Sequence, residues 1–279
     1  MIDGRASRTA LGAAVHRILH RRLDRPPIFD DPFAEALLDD EGRALLAARA
    51  AEPERSVRLR TTIALRSRLA EDGLAAAIDR GCRQYVLLGA GLDTLALRRP
   101  VADLRVFEVD HPATQAWKRQ RLAAAGLGGP DGPIFVPVDF ERDRLDQRLA
   151  EAGFDADAPA VFALLGVVPY VERAALLDTL RYVAARPAGC AEVTFDCSEP
   201  WESAAPPIRA AYRALADLAA AEGEPWVTSF TPEDLARDLA AVGFASVEDR
   251  GPAVLARVLA GLGSPLRPSP LGHVVTART

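Results

Sequence analysis

YVLLGAGLDTLALRRP, residues Tyr85–Pro100, decides how the rest of the chain is read. Tyr85 to Leu88 form an apolar run too short for a helix, and it breaks on Gly89-Ala90-Gly91 before Asp93 brings in a charge. The pattern predicts a buried strand entering a glycine turn. At the carboxyl edge of a central strand, such a turn presents backbone N–H groups where open α/β sheets bind ligands. An isolated G-x-G also occurs in plain strand-to-helix turns, so the glycines leave both readings open.

Further runs of the same kind follow at Leu104–Val109, Ile134–Val138, Val161–Leu165 and Glu192–Phe195, each separated by enough chain for a crossover helix. Their nearly unbroken apolar character predicts a parallel sheet covered on both faces, a doubly wound α/β fold. Two more strand candidates, Ala245–Asp249 and His273–Ala277, bring the sheet to seven. Upstream, Leu11, Val15, Ile18 and Leu19 recur at helical spacing, Asp31-Pro32 offers a cap for another helix, and a long helix is expected over Ser56–Ala77. Residues 1–55 therefore read as a helical cap and 56–279 as the sheet domain, with 198–230 inserted after the fifth strand as a lid. Thr231-Pro-Glu-Asp234 combines an N-cap, a first-turn proline and an acid at N3, and Gly243 closes that helix.

With 279 residues and 49% hydrophobic content, the chain is long enough for a full core. Its net charge of −5, without acidic or basic runs, gives no footprint for nucleic acid. The N-terminal apolar stretch is interrupted by arginines and a histidine, so no leader or membrane span is expected. Three cysteines without CxxC spacing suggest neither a disulfide framework nor a zinc site, and a cytoplasmic location fits them. Lys118, the only lysine among many arginines, reads as coding bias without functional weight.

The cofactor question turns on what the glycine loop lacks. A dinucleotide fingerprint requires a third glycine where Thr94 stands, and Asp93 would oppose a phosphate. A cofactor without phosphates that carries an ammonium and a sulfonium tolerates that carboxylate, and S-adenosyl-L-methionine is such a molecule. Asp110 closes the second strand, where a carboxylate accepts from ribose hydroxyls in either adenosine cofactor. Asp139-Phe140, at the end of the third, has the carboxylate and N–H that read an adenine edge, although Asp139 would equally cap a helix over Glu141–Leu149.

LLGAGLDTLALR, VFEVDHPATQAWKRQRL, FVPVDFERD and LLGVVPYV, in that order, resemble the leucine carboxyl methyltransferase family and its bacterial relatives acting on polyketides and other small molecules. SRTALGAA and PPIFDDPFA resemble that family's N-terminal cap, and the likeness spans roughly Ser7 to Glu199. It implies a class I S-adenosylmethionine fold with the seventh strand antiparallel beside the sixth at the sheet edge. It also implies that Arg66 grips the methionine carboxylate, that Gly89, Ala90 and Gly91 face the methionine moiety, and that Asp110 meets the ribose. Asp139 and Phe140 would meet the adenine. Leu165 stands where protein-modifying members carry a glutamate, which resembles the small-molecule branch.

Among the four histidines, only His111 ends a predicted strand, and it is expected near Asp110 as an adenine-wall or supporting residue. HRILH, with His16 and His20, lacks the glutamate of a zinc protease motif, and no metal is expected. With no evident base, a carboxylate acceptor is favoured over a hydroxyl, since it is already ionised near neutral pH. Tyr170, Glu199, Trp201 and Trp226 are candidate walls for a small apolar or aromatic acceptor. The rival readings are a non-catalytic binding protein of the same fold and an NAD(P)-dependent oxidoreductase.

Overall fold

A computed structural model of the chain describes residues 7–98, 100–129, 132–139 and 142–279. Strands β1 (Gln84–Leu88), β2 (Arg105–Asp110), β3 (Ile134–Pro137), β4 (Ala160–Leu164), β5 (Ala191–Ser198), β6 (Ser246–Arg250) and β7 (Gly272–Arg278) form one sheet in the order β3-β2-β1-β4-β5-β7-β6. The first five run parallel, and β7 is antiparallel to both β5 and β6. The expected antiparallel pairing of the last two strands is present, but β7 lies inside the sheet and β6 forms the edge. Their sequences agree with these places: GHVVTAR of β7 is buried through six of its seven residues, whereas SVEDR of β6 is mostly exposed.

Alternate residues of β1 reach opposite cores, as strand geometry requires. Val86 and Leu88 join Phe107, Phe162 and Phe195 beneath α6 (Leu145–Glu151), α7 (Arg173–Ala184) and α9 (Pro232–Val242). Tyr85 and Leu87 face Ala70, Leu74 and Ala77 of α3 (Val57–Asp79), and α10 (Pro252–Gly261) covers the β7 end of that face. Both faces are thus covered, which accounts for the continuous apolar strands. The Thr231 hydroxyl accepts from the Asp234 N–H at 3.1 Å, and Gly243 ends α9 with φ 98°.

The N-terminal part comprises α1 (Arg8–Leu23), a 3-10 turn at Ala34–Leu37 and α2 (Asp40–Ala51). Asp31-Pro32 starts only that turn, since Asp39 is the residue that caps α2, accepting from Gly42 N–H at 2.9 Å. α1 packs its Leu11, Val15 and Leu19 side against Leu92 of the glycine loop and Leu122 of α5 (Pro112–Ala124). Between β5 and β6 lies α8 (Pro206–Ala221), which turns Ile208, Tyr212 and Leu215 inward while its other side is exposed. Asp139 does not cap α6, which begins at Leu145 with Arg144 at its N-cap, and Arg142 and Asp143 N–H donate to the Asp139 carbonyl. Phe140 lies outside the described residues. Among those described, no helix is long and apolar enough to cross a membrane.

Candidate cofactor site

The strand tips converge on the Gly89–Gly91 loop. Gly89 N–H and Ala90 N–H both donate to the Val109 carbonyl, at 2.8 and 3.1 Å, which bends the chain across the end of β2. Gly89 and Gly91 have φ of 71° and 50°, in the left-handed region that side chains disfavour. Space is short as well: a Cβ at 89 would run into Val167 beyond β4, and one at 91 would stand 2.9 Å from the Ala10 methyl of α1. The glycines therefore serve both conformation and close approach.

Asp110 accepts from Gly91 N–H at 2.6 Å through one oxygen and from His111 N–H at 2.7 Å through the other. Burial pushes its carboxyl pKa up, and these two N–H groups offset part of the rise. Each oxygen retains a second lone pair that can accept from a hydroxyl. His111 caps α5, its Nδ1 accepting from Ala113 N–H at 3.2 Å, so its proton sits on Nε2. Val138 N–H reaches the Asp110 carbonyl at 2.9 Å and brings the β3 tip, with Asp139, alongside.

Arg66, on α3, stands on the other side of the loop. Its Nη1 donates to Asp196 Oδ2 at 2.8 Å, while its Nε is buried without a partner. Asp196 also accepts from Gly166 N–H at 2.6 Å, so a single β5 carboxylate fixes both the guanidinium and the turn after β4. Gly166, at φ 72°, lies flat against the guanidinium, where a Cβ would meet Arg66 Cζ at 2.8 Å. Between Arg66, Gly89, Asp93 and Leu165 is a cavity of about 60 Å³, room for about two waters. Ala10, Ala13 and Arg17 of α1 roof it.

Buried charges brace this loop from below. Arg17 donates to Asp31 at 2.8 Å and to the Leu92 carbonyl at 2.6 Å, and Thr94 donates to Asp31 at 2.6 Å. Burial alone would raise the Asp31 carboxyl, but Arg17, Thr94 and Arg98 hold it below its ordinary value. Lys118 is fully buried, reaching the Asp93 carbonyl at 2.6 Å and Glu108 at 2.5 Å. The chain's one lysine is thus a brace for the glycine loop, contrary to its reading as coding bias.

The structure gathers Arg66, Gly89, Ala90 and Leu165 around one cavity, with Gly91, Asp110 and His111 directly adjoining. Tyr170 is held near Arg66, its hydroxyl facing the Trp226 indole and Thr9. Burial raises its phenol, and the indole N–H is buried without closing a well-formed hydrogen bond. Trp226 packs edge-on against Tyr212, and Trp201 lies under the Arg213 guanidinium. Glu199 bonds His273, and its charge also reaches the Tyr212 phenol. His16 and His20 are both buried, and His20 bridges Asp24 and Ile28 N–H.

Sequence reasoning missed Asp196 and the α1 roof. A carboxylate inside AEVTFDCS was the available signal for the first, and small residues at Ala10 and Ala13 for the second.

Donors and acceptors here match an amino-acid zwitterion joined to an adenosine: an unpartnered guanidinium N–H, an acid across the cavity, a glycine cradle and a carboxylate at the β2 tip. The leucine carboxyl methyltransferase profile matches residues 10–184. A Bacillus subtilis (strain 168) protein named as a candidate S-adenosyl-L-methionine-dependent methyltransferase, YktD, is 32% identical over 279 residues, covering 90% of each chain. A similarly named protein of Mycolicibacterium paratuberculosis (strain ATCC BAA-968 / K-10) is 34% identical over 181 residues, 60% of this chain and 56% of its own length. Among solved structures, a candidate methyltransferase from Thermobifida fusca YX superposes with a TM-score of 0.59 at 18% identity, covering 100% of this chain and 96% of that one, a likeness of fold. The chain belongs to the leucine carboxyl methyltransferase family and is an S-adenosyl-L-methionine-dependent methyltransferase.

Proposed function

We propose that the protein methylates an oxygen of a small molecule, with a carboxylate as the acceptor. The observation that carries the donor half is the Arg66 guanidinium, its Nε buried and unpartnered, on the wall of a cavity that Gly89 and Asp93 also line. Arg66 holds a carboxylate there, Asp93 balances an ammonium, and Asp110 orients a ribose. When bound, S-adenosyl-L-methionine supplies a methyl group activated on a sulfonium. The chain's own contribution is alignment and exclusion of water, through α1 above the loop and segment 199–230 as a cover over the acceptor.

Support for a carboxylate acceptor comes from where the bases lie. His111 Nδ1 is tied to Ala113 N–H, His16 and His20 are buried in the N-terminal part, and His273 is engaged by two carboxylates. Tyr170, with its pKa raised by burial, is a poor base near neutrality. An acid that is already ionised needs none of them. The aromatic groups Tyr170, Trp226 and Tyr212 suit a flat or apolar acceptor body, and the net charge of −5 favours neither nucleic acid nor an anionic membrane.

Incubation with methyl-labelled donor and a panel of aromatic and aliphatic acids, phenols and alcohols tests this reading. One added methyl group on an acid, present as an ester and so released by mild alkali as methanol, is the expected product. Transfer to phenols alone, or donor binding without transfer to any member, overturns it.

A further inference from the structure

Of the charged clusters away from the cofactor loop, one joins three strand ends. His273, near the start of β7, places Nδ1 2.7 Å from Asp249 of β6 and Nε2 3.2 Å from Glu199, the first residue beyond β5. Both ring nitrogens face carboxylates, and a neutral imidazole has only one N–H. Only the imidazolium donates to both. The ring is nearly enclosed, whereas Glu199 and Asp249 are each about one-third exposed. Gly251 gives the ring its room, since a Cβ there would stand 3.0 Å from His273 Cε1.

Glu199 is also the root of segment 199–230. Its N–H donates to the Leu271 carbonyl at 2.9 Å, and the segment returns where Phe230 N–H meets the Ser198 carbonyl at 3.1 Å. Trp201 lies two residues on.

We propose that His273 is a positioning residue which, as an imidazolium shared between Asp249 and Glu199, moors the root of segment 199–230 and releases it on losing its proton. This rests on the reading of that segment as the acceptor's cover. The other groups facing the ring are few. Cys197, paired with His273 across β5 and β7, has its thiol raised by burial and by Asp196, Asp249 and Glu199, so it stays neutral. Asp196 is committed to Arg66, and Arg250 to Thr276 and Glu248. Burial disfavours the charged ring, but the two carboxylates outweigh it and raise the His273 pKa. The mooring is therefore complete below the ordinary histidine value and is lost as pH rises through the raised one. Glu199, with the longer contact, is released first.

The chain's three tryptophans make this measurable, with Trp201 and Trp226 in the segment and Trp117 on α5 as internal reference. The full chain, labelled with 5-fluorotryptophan, is followed by fluorine NMR from about pH 5.5 to about 9, while labelled-histidine NMR follows His273 itself. The expected result is a Trp201 transition at the His273 midpoint, a flat Trp117 signal, and loss of the transition in His273→Gln and Glu199→Gln. Asp249→Asn should lower the midpoint. A flat Trp201 while His273 titrates overturns the proposal, as does a transition that persists in Glu199→Gln, the deciding variant if His273→Gln does not fold. The methylation panel tests the acceptor reading separately, so its failure leaves the titration result standing.

Discussion

Arg66 Nη1 and Asp196 Oδ2 meet at 2.8 Å across 130 residues of chain, joining α3 to the tip of β5. Because Asp196 also takes Gly166 N–H, one carboxylate fixes the guanidinium beside the cavity that Arg66 lines, with its Nε buried and unpartnered. Arg66→Ala should weaken S-adenosyl-L-methionine binding by about 1–3 kcal/mol, the usual size of a charge-assisted contact. Asp196→Asn, which keeps the shape but loses the charge, should cost less than Arg66→Ala. Calorimetric titration of both variants checks the order, and wild-type affinity in both would mean that the methionine end binds elsewhere.

Gly89→Ala combines a positive φ with a collision against Val167. It should destabilise the fold by about 1–3 kcal/mol. Val167→Ala in the same chain should recover the steric part and leave the backbone strain, a partial rescue readable from urea unfolding midpoints.

Lys118 and Glu108 are both fully buried and 2.5 Å apart. Burial pushes the Glu108 carboxyl up, with Lys118 opposing. Lys118→Met would strand that carboxyl and should cost about 3–5 kcal/mol, while Lys118→Met with Glu108→Leu should regain most of it. Thermal unfolding of the two single variants and the double variant separates these outcomes.

His16 sets an acid limit. Burial, with Arg49, Arg60 and Arg66 nearby, lowers its pKa to about 4. An unfolded chain carries the ordinary value near 6.5 and binds the extra proton first, so stability is full above about pH 6.5 and falls toward pH 4. The loss should reach at most about 3 kcal/mol. His16→Leu should flatten this part of the stability profile measured by denaturant titration, and an unchanged slope would assign the acid sensitivity to other groups.

Different parts of the fold were legible for different reasons. The seven strands and α9 could be read because burial on both faces, helical spacing and capping act over a few neighbouring residues. The helix at Asp31-Pro32 failed because Asp31 turns into a buried cluster with Arg17 and Thr94, a choice made by distant partners. The cap at Asp139 failed because α6 begins only at Leu145, with Arg144 at its N-cap. For β7, antiparallel pairing to β6 was expected, but insertion against β5 depends on which edge remained open after the parallel strands had formed.

By itself the sequence determined the glycine turn after β1, the acid after β2 and the apolar strands that bring them to one edge, because backbone conformation and strand burial are local properties. Tertiary structure decided that Arg66 is held by Asp196, that the single lysine braces Asp93, and that His273 engages Glu199, an expected acceptor wall. Those outcomes depend on buried charges finding partners from remote segments. No local spacing specifies such a partner, and the low-dielectric interior makes leaving one unpaired costly.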